Sequence, residues 1–248
     1  MNSLLPLISC LCVTKNRPAQ LSRTIQCFIA QTYPNKELVV VYEETDEPTN
    51  KVLQSFASQV NFKLVAVENN NTIVSLGDLR NLSIDNATGE YCCQWDDDDW
   101  YHPTRITAQF ELMQQAGKDA CVLEQWLFFD GHTKQAYLSH KRYWEGSLLC
   151  SKILMQQYQY AKLAKGEDTP LITALRSKNQ IHLIQNKPHL YIYNYHGNNT
   201  WQYQHFKGFF HYSKLLNTEQ SKWVEDVLSQ SISVEEGAKL LTQSFLQS

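Results

Sequence analysis

No apolar run in this 248-residue chain is long enough to span a bilayer, and no charged-then-apolar leader opens it. A cytoplasmic protein is expected, with at most peripheral attachment at the inner face of the membrane. The chain also lacks a basic footprint. Its 22 Lys and Arg are mixed among 25 Asp and Glu for a formal net charge of −3, which sets nucleic acid aside as a partner. An anionic ligand would have to be held locally, by a metal or a few placed cations. No C-x-x-C pair occurs among the seven cysteines, Cys10, Cys12, Cys27, Cys92, Cys93, Cys121 and Cys150. Their odd number and apolar surroundings predict reduced, buried thiols instead of disulfides or a zinc site. Internal repeats and low-complexity tracts are absent as well. With 43% hydrophobic residues the chain can still bury a sizeable core, as one large domain or one domain with an appendage.

What the chain does have is a concentration of negative charge. Tyr91-Cys92-Cys93-Gln94-Trp95 runs into Asp96-Asp97-Asp98-Asp99 and then Trp100. Four adjacent carboxylates repel one another unless water or a cation compensates them. Acidic runs are often solvated surface. The apolar and aromatic flanks point instead to the end of a buried strand beside a bound divalent cation.

The rest of the chain gives this run a setting. Residues 4–13 read as a buried strand, followed by the loop Thr14-Lys15-Asn16-Arg17 and a helix with Pro18 in its first turn. Residues 37–42 are a second strand, entering the acidic loop Glu43-Glu44-Thr45-Asp46-Glu47. A helix over 50–58 and a third strand over 62–67 complete a β-α-β-α-β pattern, which predicts an open α/β sheet with a mostly parallel centre. Ligands of such sheets lie beyond the carboxyl ends of the strands, where residues 14–17, 43–47 and 96–99 would meet. Ser75-Leu76-Gly77-Asp78 has the form of a helix start, with Arg80 either facing the acidic loop or serving as a surface ion pair.

After the run, a helix to Ala116-Gly117, a fifth strand over 119–123 and a small antiparallel extension over 124–143, turning at Asp130-Gly131-His132, are expected. Helical spacing returns from Ile153 to Leu163 and again beyond Thr169, with strands over 181–184 and 190–195. From about Phe209 two amphipathic helices should follow, with Leu215, Leu216, Trp223 and Val224 on the first.

Taken together, Ile8-Ser9-Cys10-Leu11-Cys12-Val13-Thr14-Lys15-Asn16-Arg17, the Glu37 strand with its acidic loop, Gly77-Asp78-Leu79-Arg80-Asn81, the acidic run, Gly166-Glu167-Asp168 and Tyr195-His196 resemble a family 2 glycosyltransferase of the GT-A fold. The match extends over roughly residues 5–201, and its order and spacing carry it. The resemblance implies a Rossmann-like glycosyltransferase domain over 1–205, with a nucleotide-binding half to about 100 and an acceptor-binding half over 101–205. Residues 206–248 would be a helical appendage. It implies an inverting, metal-dependent transfer of a sugar from a nucleotide-diphosphate donor, a UDP-sugar among them, to a hydroxyl of a glycan, lipid-linked or protein acceptor, with bacterial surface glycans as the setting. Thr14, Arg17, Glu43, Arg80, Asp96 and Asp97 would contact the donor, with Glu43 standing where the family usually has Asp. Asp98, and more weakly His196, would hold Mn²⁺ or Mg²⁺. Asp168, with Glu167 beside it, would be the general base.

The chemistry agrees with these roles. Charge building on a diphosphate leaving group calls for a hard cation with oxygen ligands, and the attacking hydroxyl must lose its proton to a positioned carboxylate. Each role has a plainer competitor. Asp168 before Thr169-Pro170 is also an ordinary helix N-cap, His196 among tyrosines a structural residue, and Trp144 and Trp201 core packing as readily as sugar platforms. Two other functions compete. A sugar nucleotidyltransferase would bring a glycine-rich phosphate loop, and the loop after the first strand has no glycine. A non-catalytic sugar-nucleotide or carbohydrate-binding module would not need both Asp98 and Asp168.

Overall fold

The computed structural model describes residues 5–68 and 75–246. Leu4, which heads the first expected strand, and the outer ends of both expected domain ranges lie outside them. The first half contains β1 (Ile8–Val13), α1 (Pro18–Ile29), β2 (Lys36–Glu43), α2 (Glu47–Phe56), β3 (Phe62–Val67), α3 (Leu76–Asn86), β4 (Tyr91–Gln94) and β5 (Trp100–Tyr101). There follow α4 (Arg105–Gln115), β6 (Ala120–Leu123), β7 (Leu127–Asp130), β8 (Gln135–Leu138), β9 (Leu149–Ser151), α5 (Lys152–Tyr158) and α6 (Thr169–Ser177). The chain closes with β10 (Ile181–Ile184), β11 (Tyr191–Tyr195), α7 (Tyr203–Tyr212), β12 (Lys214–Leu215), α8 (Thr218–Leu228) and α9 (Val234–Leu246).

A seven-stranded sheet in the order β10-β6-β9-β4-β1-β2-β3 forms the centre, parallel except for β9, which is antiparallel to both neighbours. Its central strands are apolar on both faces because helices cover both. Side chains alternate across β1 and β2, so Cys10, Cys12, Leu38 and Val40 join one core with Leu21 and Ile25 of α1. Leu11 and Val39 join the other, with Ile84 of α3, Met155 of α5 and Leu171 of α6. All seven cysteines are free and buried, as the sequence predicts. Asp46 caps α2 by accepting the Thr49 amide at 3.1 Å, and its other oxygen takes the Asn16 amide at 2.6 Å, joining the first two loops. Ser75 and Asp78 form the expected reciprocal cap of α3, at 3.1 and 3.2 Å.

Three features differ from the sequence reading. β9 has only three residues, too few to show a period, and it lets the chain reverse so that 160–168 lies along α3. There Asn81 accepts the Tyr160 amide and donates to its carbonyl, both at 2.9 Å, and the Gly77 amide meets Leu163 O at 3.1 Å. The extension is a five-stranded mixed sheet, β12-β8-β7-β11-β5: β7 and β8 form the expected hairpin, but β11 runs parallel to β7 and antiparallel to β5. The acidic run thereby joins the two sheets, leaving one after Gln94 and entering the other at Trp100. Finally, the described C-terminal residues form three helices, α7 to α9, where two were expected. Leu215 lies on edge strand β12, half exposed, and Leu216 is held by its amide to Ala136 O at 2.9 Å. The 205/206 boundary falls within α7, whose Phe206 packs 5.6 Å from Phe128. Among the described residues no helix is long and apolar enough to cross a membrane.

Candidate active site

The four carboxylates are compensated one by one. Asp99, fully buried, accepts the Tyr191 hydroxyl and, at 2.9 Å, the Asn194 amide of β11. Burial and the charges of Asp98 and Asp96 push its carboxyl well above the usual range. Asp99 is therefore an anchor to the second sheet. Asp97 accepts Thr14 Oγ1 at 2.7 Å and Arg17 Nη1 at 3.0 Å. Burial and the neighbouring Asp98 still push its carboxyl up to about 7 against those two partners. Asp98 Oδ2 meets Arg17 Nη1 at 2.8 Å and His196 Nε2 at 3.0 Å. Burial works against its charge, but the His196 hydrogen bond and Arg17 prevail and hold its carboxyl below the ordinary range. Asp96 pairs with Arg80 Nη2 at 3.0 Å and accepts Gln94 Nε2 at 2.8 Å; burial, opposed by Arg80 and reinforced by Asp98, raises its carboxyl.

The backbone of the run is fixed from behind. Arg23 of α1 donates to Asp98 O and, at 2.8 Å, to Leu228 O, while Thr24 Oγ1 donates to Asp97 O at 3.1 Å. Beneath, the fully buried Arg105 lies 4.6 Å from the Tyr101 ring and 5.3 Å from Trp95, and donates to Gln94 O at 3.0 Å. The carboxylates stand on an aromatic floor that carries a permanent charge.

In front of the run opens a cavity of about 260 Å³. Arg17, Arg80, Asp96, Asp97 and Asp98 are part of its lining. Trp144, Glu145, Glu167 and Asp168 line it as well, as do Tyr193, Trp201, His205 and Phe209. Arg80 connects Asp96 to Glu167, its Nε lying 2.8 Å from Glu167 Oε1, although the N–H points past the carboxylate. Burial opposes the charge on Arg80, but Asp96, Glu167 and Asp168 outweigh it and keep it protonated. Burial and Asp168 likewise raise the carboxyls of Glu145 and Glu167, the latter against Arg80. Asp168 holds the N-cap position of α6, yet its side chain makes no capping hydrogen bond; among the described residues it accepts only Thr169 Oγ1, at 3.5 Å. The carboxylate is left to face the cavity.

A sequence comparison decides what this cavity belongs to: the pattern described as Glycosyl transferase family 2 matches residues 9–173, more than half of the chain. The chain belongs to glycosyltransferase family 2. It is similar to an uncharacterised glycosyltransferase of Rickettsia typhi, 28% identical over 122 residues, covering 49% of this chain and 36% of that one. The glycosyltransferase GlyA of Streptococcus pneumoniae is 26% identical over 102 residues, 41% of this chain and 14% of its own. This family 2 glycosyltransferase thus spans well under half the length of these relatives. Its fold is the GT-A fold of S. aureus TarS in complex with UDP-GlcNAc (TM-score 0.64, 16% identity, 78% of this chain and 60% of that one). A mannosyltransferase of Pyrobaculum calidifontis in complex with GDP-Man and Mn²⁺ is similar too (TM-score 0.63, 12% identity, 80% and 59%).

Of the site residues expected in this glycosyltransferase, seven line the cavity: Arg17, Arg80, Asp96, Asp97, Asp98, Glu167 and Asp168. Thr14 and His196 are not among the lining residues, but each is bonded to a carboxylate of the run. Glu43 is not brought to the lining; it ends β2 in an ion pair with Lys15 at 2.5 Å. Trp144 is stacked on Trp126 at 4.2 Å, and Trp201 on His205 at 4.2 Å. Sequence reasoning missed Glu145, Gln94 and Tyr160. Gln94 reaches both Asp96 and, at 2.9 Å, the Tyr160 hydroxyl; its place beside the run was the available signal, whereas Glu145 and Tyr160 enter through irregular loops with no period.

No three His, Cys, Asp or Glu side chains among the described residues form a ready metal cage. Asp98 Oδ2 and His196 Nε2 do converge within 3.0 Å, a carboxylate and an imidazole suited to Mn²⁺ and, less so, to Mg²⁺. The residues fit a divalent ion that takes its remaining ligands from a bound substrate.

Proposed function

We propose that this chain transfers a hexose from a nucleotide-diphosphate donor to an acceptor hydroxyl by single displacement with inversion. One observation carries the reading: Asp98, with Asp96 beside it, and the uncapped Asp168 line one cavity. Asp98 and His196 would hold the divalent ion, which neutralises charge on the departing diphosphate. Arg17 and Arg80 orient the diphosphate, and Thr14 and Asp97 fix that part of the lining. Asp168 accepts the proton from the acceptor hydroxyl as the new glycosidic bond forms. Glu167 positions Arg80, and no donor contact is assigned to Glu43, which stays with Lys15. We place residues 1–205 in donor and acceptor binding, with the helices beyond buttressing the acceptor side. The free thiols suit the cytoplasm, and a surface glycan, built on a lipid-linked or protein-linked acceptor reached from the inner face of the membrane, is the setting we favour.

A panel of UDP- and GDP-sugars, assayed for Mn²⁺-dependent hydrolysis and transfer, tests this. Asp168→Asn should lower turnover by about 10²- to 10⁴-fold with donor binding retained, and Asp98→Ala should abolish the metal-stimulated binding of donor. Full activity in both variants would overturn the assignment. Donor binding without turnover across a broad acceptor panel would favour a binding module.

A further inference from the structure

Arg17 is placed to do more than touch a phosphate. Its backbone is fixed at the start of α1, where Leu21 N donates to Arg17 O at 2.9 Å, but its side chain caps nothing and keeps 26% of its surface exposed. The guanidinium spans three acceptors: Nη1 meets Asp98 Oδ2 at 2.8 Å and Asp97 Oδ1 at 3.0 Å, and Nη2 meets the Asn198 carbonyl at 2.6 Å. The first of these is the same oxygen that His196 Nε2 approaches at 3.0 Å. A divalent ion taken up by Asp98 and His196 would therefore arrive on an oxygen that Arg17 holds, against the repulsion of a guanidinium in contact with it. A diphosphate arriving with the ion offers that guanidinium a bidentate anion in exchange.

We propose that Arg17 is a resident counter-ion that couples the two ligands: a divalent ion displaces it from Asp98, and a nucleoside diphosphate draws it away, so each ligand tightens the other. This inference rests on the donor reading above. Arg17 also fastens residues 196–201 to the acidic run through Asn198, and Lys165 holds the far end of that segment, 5.3 Å from the Trp201 ring. Moving Arg17 onto phosphate therefore removes one tether of the segment that carries His196, which Asn199 still ties to Asn194 O at 2.9 Å. The coupling is reciprocal, since the free energy by which metal favours nucleotide equals that by which nucleotide favours metal.

Mn²⁺ titrations followed by electron paramagnetic resonance, without nucleotide and with UDP or GDP, test the coupling on the wild type, Arg17→Gln and Arg17→Lys. In the wild type, nucleotide should tighten Mn²⁺ by about tenfold or more. Arg17→Gln should bind Mn²⁺ alone about tenfold more tightly than the wild type, with the effect of nucleotide reduced to below about threefold. Arg17→Lys, whose single ammonium cannot span all three acceptors, should fall between them, and it carries the test if Arg17→Gln does not fold. Amides of 196–201 should exchange faster in Arg17→Gln without ligands, which reports on the tether independently of any activity. A variant that binds Mn²⁺ alone no more tightly than the wild type, with undiminished nucleotide coupling, overturns the role of Arg17 and leaves the donor reading standing. If neither nucleotide changes Mn²⁺ binding in any of the three proteins, both fall.

Discussion

Acidifying the protein from pH 7 to pH 5 should loosen helix α9 through two buried imidazoles. His102 follows the acidic run and is 5% exposed; its Nδ1 accepts the Thr104 amide at 3.1 Å, which leaves the proton on Nε2, facing Thr242 Oγ1 at 3.0 Å and Ala238 O at 3.3 Å on α9. His189, 4% exposed, packs edge-on against it at 5.3 Å. Burial depresses both, His102 to about 4 despite the Ala238 carbonyl, and His189 to about 4 with help from His102 and Lys187. An unfolded histidine titrates near 6.5, so between about pH 6.5 and 4 the unfolded chain binds protons that the native one refuses. Stability is therefore complete above that window and declines as the pH falls through it. At pH 5 the loss is about 2 kcal/mol per imidazole, from the ratio of the two proton-binding polynomials at roughly 1.4 kcal/mol per decade.

Asp97 works in the opposite direction. Its raised pKa makes acidification favourable toward about pH 4, so the total slope alone is not diagnostic. The comparison that isolates the effect is urea unfolding of the wild type and His102→Asn at both pH values. The variant, less stable at pH 7 through its lost contacts, should lose about 2 kcal/mol less on acidification than the wild type. Equal losses in the two proteins would refute the assignment of a buried neutral imidazole to His102.

Two further outcomes depend on how the site is held. Tyr191→Phe removes a hydroxyl from the buried Asp99 and should cost about 1–3 kcal/mol in chemical denaturation; no change would mean that the tyrosine does not anchor the run. Gly77→Ala would put a methyl 1.8 Å from the Ala161 carbonyl oxygen, so α3 and the segment bearing Glu167 and Asp168 must part. A loss of about 3 kcal/mol is expected, together with weakened donor binding as Arg80 shifts, and an unchanged thermal midpoint would count against this packing.

The N-terminal half was legible because its signals are local and repeated. Apolar runs flanked by helical spacing gave β1 to β4 with their helices, Ser75 and Asp78 gave the start of α3 to the residue, and the acidic run marked the strand end that carries the site. Legibility fell where structure depends on distant partners. β9 has three residues and takes its place from β4 and β6; β11 reads as one more strand but belongs to a second sheet because it pairs there with β7 and with β5, two residues long. The spacing that suggested a helix through Leu215 and Leu216 arose by chance on an edge strand. In the site, residue types were readable and their pairing was not. That Arg17 would bridge Asp97 and Asp98, Arg80 bridge Asp96 and Glu167, and Asp168 leave its helix uncapped could come only from the fold.

The passage of the acidic run between the sheets bears on how such enzymes could be recombined. Asp99 is spliced to β11 by Tyr191 and the Asn194 amide, so the seven-stranded and five-stranded sheets share one buried carboxylate as a joint. A chimera exchanging the half that carries the five-stranded sheet would keep its seam only if the incoming strand supplied the same hydroxyl and amide. The first half transplanted without them would carry a buried carboxyl with no partner at the base of the acidic run.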